Sequence, residues 1–91
     1  MNYTIIITET YRKKVIKFSR KHPEMIPTYA KVLSILETNP YHPSLRLHKL
    51  QGKLHEYYSI SLDTQYRMLI VLNIDESTII PIDIGTHDEI Y

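Results

Sequence analysis

The chain has 91 residues, 43% hydrophobic and 23% charged, with a formal net charge of +1, values that describe one globular domain over residues 1–91. It contains no cysteine, which excludes disulfides, thiolate zinc sites and cysteine nucleophiles and fits a cytoplasmic setting. The longest apolar run, "YRMLIVLNI", is strand-sized, and "MNYTIIITET" has no basic segment before its apolar residues, so no membrane partner and no secretory leader are expected.

"YTIIIT" (residues 3–8) is β-branched and aromatic and reads as a strand. Thr8 or Thr10 can cap a helix running to about Lys21, with Tyr11, Val15 and Phe18 on one apolar stripe. Arg12, Lys13, Lys14 and Lys17 then face water or an anionic partner. Pro23 biases His22 away from helical backbone and closes this helix. A second helix begins near Pro27, buries Tyr29, Val32, Leu33 and Leu36, and stops at "TNP". "YHPSLRLHKLQGK" has two prolines and a glycine and reads as a loop.

Beyond it the period changes from 3.6 to 2. "LHEYYSISLD", "YRMLIVL" and "TIIPIDI" predict three strands joined by turns at "DTQ" and "NIDES". Pro81 cannot donate to a ladder, so the last strand is either an edge or turns that position outward. The expected architecture is α+β: a first strand, a helical hairpin, then a three-stranded antiparallel meander, giving a four-stranded sheet with two helices on one face.

Two helices cover one face of such a sheet, and the other is either solvated or the working surface. Arg67 lies on the opposite strand face from Tyr66, Met68 and Ile70. It is either solvated, paired with Glu56 or Asp83, or aimed at a phosphate whose oxygens match its planar fork. His48 and Lys49 read as loop residues before the second strand, His87 as the residue ending the last strand, and Tyr91 as a ring over the sheet edge. Tyr58 reads as core, Asp83 as an outward edge residue, and His55 as a weaker candidate than His48. Five histidines are many for this length, yet they form no HxxxH or HExxH pattern, so no metal or other cofactor is expected.

"HKLQGKLHEYYSI", "QYRMLIV" and "IDIGTHDEIY", with the "NP" exit from the second helix, form an ordered set spanning nearly the whole chain. In that set the chain resembles the RelE/ParE toxin superfamily, most closely its YafQ-like branch of mRNA interferases from bacterial toxin–antitoxin modules. The resemblance implies a ribosome-dependent endoribonuclease that enters the ribosomal A site and cleaves mRNA without a metal, the ribose 2′-hydroxyl attacking the adjacent phosphate. It places the catalytic histidine of "GTH" on His87, the transition-state arginine on Arg67, and a second acid–base or substrate-contacting histidine on His48. Tyr91 falls on the branch's terminal aromatic, suited to stacking a base, and Lys49 near lysines that relatives use against phosphate. Where the branch carries an aspartate–alanine–histidine triplet this chain has Ser59, Ile60 and Ser61, and Gln65 replaces a later acid; His55 or Glu56 are candidate substitutes.

The resemblance also implies a cognate antitoxin lying over the basic helix (residues 12–21) or beside the edge strand, with mRNA and ribosomal RNA as further partners. Two alternatives come with the same superfamily: a ParE-like toxin that inhibits DNA gyrase by protein contact, and a catalytically degenerate antitoxin-binding relative.

Overall fold

The computed structural model describes residues 2–91. Strand β1 (Thr4–Ile5) leads into helix α1 (Glu9–Lys21), a 3₁₀ turn (Pro23–Met25) and helix α2 (Ile26–Thr38). After a second 3₁₀ turn (Pro43–Leu45) come β2 (His48–Lys49), a third 3₁₀ turn (Gly52–Leu54), β3 (Tyr58–Ser61), β4 (Tyr66–Asn73), β5 (Thr78–Thr86) and helix α3 (His87–Ile90).

Thr8 makes the cap of α1: its hydroxyl accepts from the Tyr11 N–H at 3.2 Å, satisfying a donor that has no intrahelical partner. The helix closes where the His22 N–H reaches the Phe18 carbonyl at 2.8 Å, ahead of Pro23. Tyr11 and Phe18 are the buried residues of α1, Val32 and Leu36 those of α2, as the apolar stripes require. The two helices meet at a hydroxyl pair, Tyr11 to Tyr29 at 2.9 Å. Burial pushes the Tyr11 phenol well above its ordinary range, with the neighbouring Tyr29 adding to the effect. The pair therefore stays neutral and serves packing.

The sheet has five strands rather than the expected four, in the order β1-β5-β4-β3-β2. The extra strand is β2, inside the stretch read as a loop, paired antiparallel with β3. Two residues are too short to show a period of two, so only the partner strand reveals them. β1 is likewise shorter than expected and pairs parallel with β5. The last strand is consequently internal. β1 reaches only as far as Ile79, whose carbonyl accepts from the Ile6 N–H at 2.9 Å. Pro81, two residues on, turns the same way, and the pairing with β1 ends where its missing N–H would have to donate. The β4–β5 register slips by one residue between Leu69 and Ile70, leaving Ile82 as the extra residue of a bulge.

Ile60, Met68, Ile70 and Ile79 are fully buried on the helix side, with Tyr66, Leu36, Leu45 and Tyr11 in the same core. The other side is not bare either. Ser59, Ser61 and Leu69 are buried there, although Leu69 lies outside the main core cluster. The 3₁₀ segment before β3 and helix α3 wall this side and leave a hollow between them. No helix among the described residues is long and apolar enough to cross a membrane.

Candidate active site

The hollow has a volume of about 450 Å³ and is lined by His48, Leu50, Gln51, Leu54, Arg67, His87 and Tyr91. Four sequence-predicted residues thus share one space although three separate elements carry them: β2, β4 and α3. Lys49 does not join them. In the β2–β3 register His48 sits opposite Ser59, and Lys49 opposite Tyr58. Neighbouring residues of a strand face opposite ways, so His48 falls on the Arg67 side and Lys49 on the helix side, its ammonium 6.0 Å from the Tyr58 ring centroid.

Arg67 is the second residue of β4, opposite Ser61 on one side and Gly85 on the other. One of its terminal nitrogens donates to Ser61 Oγ at 3.3 Å, which uses one of five donors. It forms no ion pair among the described residues. Neither expected partner engages it: Asp83 lies 3.8 Å from Lys14 of α1, and Glu56 is exposed and does not line the hollow. A half-buried guanidinium without a carboxylate is available to an incoming anion.

His48 is exposed, but its ring is oriented: Nδ1 stands 3.1 Å from the Arg46 carbonyl. A carbonyl can only accept, so Nδ1 carries a proton and the neutral ring keeps its lone pair at Nε2. Arg46 has the left-handed φ of 50°, a sparsely populated conformation for a residue with a side chain. It caps the 3₁₀ turn and feeds directly into β2.

His87 opens α3, which begins where β5 stops. Its ring meets the Tyr91 ring edge-on, centroids 4.5 Å apart at 75°, and its Nδ1 lies 3.5 Å from the Asp88 carboxylate. One helical turn brings residues 87 and 91 to the same face. His87, read as the residue ending the last strand, instead opens a capped turn.

His55, a candidate substitute for the histidine the YafQ-like pattern carries, lies outside the hollow: its ring bonds the Gly52 carbonyl at 3.0 Å. Ser61, where the resemblance places that histidine, accepts from Arg67. Leu50, Gln51 and Leu54 are lining residues that sequence reasoning missed. They follow β2 through an irregular turn, and no periodicity marks them. Among the described residues no group of three or more His, Asp or Glu side chains is arranged to hold a metal ion, and the lining includes no carboxylate.

The fold is that of the RelE/ParE-type bacterial toxins. YafQ from E. coli strain BL21(DE3) superposes with a TM-score of 0.79 over 98% of both chains at 16% identity. The E. coli DinJ–YafQ toxin–antitoxin complex gives 0.78 at 18% identity over 100% of this chain and 99% of that one. A metal-bound toxin from Helicobacter pylori gives 0.78 at 22% identity over the full length of both. No protein-family model and no curated protein matches the sequence.

Proposed function

We propose that this chain is the toxin of a type II toxin–antitoxin pair and cleaves mRNA in the ribosomal A site by attack of a ribose 2′-hydroxyl on the adjacent phosphate. The observation that carries this is the convergence of two imidazoles, one unpaired guanidinium and one aromatic ring on a single hollow. Each has a job in that chemistry. His48, with its lone pair at Nε2, takes the hydroxyl proton. Protonated His87 supplies a proton to the departing 5′-oxygen, and the two rings exchange protonation states over a turnover. Arg67 neutralises the charge that builds on the equatorial oxygens of the phosphorane-like transition state. Tyr91 stacks a base and, being against His87, ties base position to proton delivery. The bond from the 2′-oxygen to phosphorus replaces the bond to the 5′-oxygen, leaving a 2′,3′-cyclic phosphate and a free 5′-hydroxyl; what the protein supplies is proton transfer and charge contact, for which these side chains suffice.

The cognate antitoxin is proposed to be acidic and to lie along α1. Lys14, Lys17 and Lys21 line a second hollow of about 280 Å³ with His22, Asp83 and Glu89, next to the α3 segment that carries His87. An acidic chain bound there neutralises the positive face by which the protein approaches ribosomal RNA.

The test is primer extension on a defined mRNA in a reconstituted translation system, with and without ribosomes. In-frame cuts that require ribosomes support the proposal. Intact mRNA with loss of DNA supercoiling identifies the gyrase-inhibiting alternative, and intact mRNA with antitoxin binding identifies the degenerate one.

A further inference from the structure

The His87 ring is exposed and sits on a helix of one turn, the length at which helix formation is least favourable by itself. Something else must hold it in the hollow. The structure supplies a reciprocal cap: the Thr86 N–H donates to Glu89 Oε1 at 2.8 Å, and the Glu89 N–H donates to Thr86 Oγ1 at 3.3 Å. The turn is closed by the Tyr91 N–H on the His87 carbonyl at 2.9 Å. Gly85 completes the device. A Cβ there would meet Glu89 Oε1 at 3.1 Å and Glu89 Cβ at 3.2 Å, so a side chain at this position would crowd the folded-back Glu89 and push it by a few tenths of an ångström.

We infer that Glu89 is a positioning residue: together with Thr86 and Gly85 it holds the one-turn helix that presents His87 and Tyr91 to the hollow. Glu89 points away from that hollow, towards Lys14, Lys17, Lys21 and His22 of the α1 side, and touches no reacting atom. Its carboxylate lies below its ordinary range, chiefly because it accepts from the Thr86 backbone N–H, with the Thr86 hydroxyl and then Lys21 and His22 adding to the effect. It is therefore ionised, and the cap closed, at neutral pH. The inference rests on the role given to His87 above, and deepens it.

Loss of a capping side chain shifts the ordered-to-frayed ratio of a helix end by roughly five- to tenfold. Glu89→Ala and Thr86→Ala are expected to weaken the nuclear Overhauser contact between the His87 and Tyr91 rings and to raise backbone mobility of residues 86–91 in NMR relaxation. Thr86→Ser, which keeps the capping hydroxyl, restores both. In the cleavage assay Glu89→Ala lowers the rate, by at most that five- to tenfold factor, while keeping the shape of the pH–rate profile, since the titrating ring is still present. His87→Ala changes that shape.

Unaltered ring contact and mobility in Glu89→Ala and Thr86→Ala would overturn the inference, as would a loosened segment with undiminished cleavage. If the unmodified protein cuts no mRNA, the proposed function falls. The NMR arm then still decides whether the cap holds the ring.

Discussion

Arg67→Ala tests the proposed chemistry most directly. Among the described residues the guanidinium has a single protein bond, the 3.3 Å contact to Ser61 Oγ, which leaves four N–H donors for a phosphate. Removing one preorganised donor to a developing oxyanion costs about 2.7–4 kcal/mol, or roughly 10²–10³ in rate. Arg67 lies on the face turned from the helix-side core, so the fold should lose only about 1 kcal/mol or less. Arg67→Lys keeps the charge but loses the planar fork. Losing one charge-assisted bond of about 1.5 kcal/mol predicts a drop of roughly tenfold. The assay is single-turnover cleavage of A-site mRNA on programmed ribosomes, with urea denaturation run in parallel. Alanine cutting within about threefold of wild type, at unchanged stability, would refute the role of Arg67. An unfolded variant would refute its placement outside the core.

Three further outcomes are expected. His48→Ala and His87→Ala should each slow cleavage by about 10²–10⁴ and each abolish a different limb of the pH–rate profile; loss of the same limb from both would contradict the division of acid and base. Ser59→Ala should stabilise the protein by about 0.5–1 kcal/mol in urea, because Ser59 Oγ is fully buried with no hydrogen-bond partner among the described residues and its desolvation is uncompensated; a loss above about 1 kcal/mol would show that the hydroxyl is satisfied. The cap should also respond to acid. Glu89 has a folded-state pKa below its unfolded one, so its contribution is complete above the ordinary carboxylate range and is lost as the pH falls through the lowered value. The His87–Tyr91 ring contact should persist from neutral pH to pH about 5 and disappear in stronger acid; its loss nearer pH 6 would point to a histidine instead.

Local chemistry was enough to read α1, α2, β3, β4 and β5 from the residues. Periodicity, a threonine cap and proline stops act over a few positions, and each leaves its mark within the segment it shapes. The same locality made His48, Arg67, His87 and Tyr91 visible as candidates, by residue type and order along the chain. Their meeting was a different matter, because it depends on strand pairing. Opposing His48 to Ser59 rather than to Tyr58 decides which of His48 and Lys49 enters the hollow, and a two-residue strand carries no pattern that declares its register. Helix α3 was hidden for a related reason. A one-turn helix has little propensity of its own, and it exists because Glu89 can fold back over Gly85 onto Thr86. Sequence by itself determined which groups this protein has to work with. Tertiary structure alone decided which of them share a space, since alternation along a strand turns a shift of one residue into a change of face.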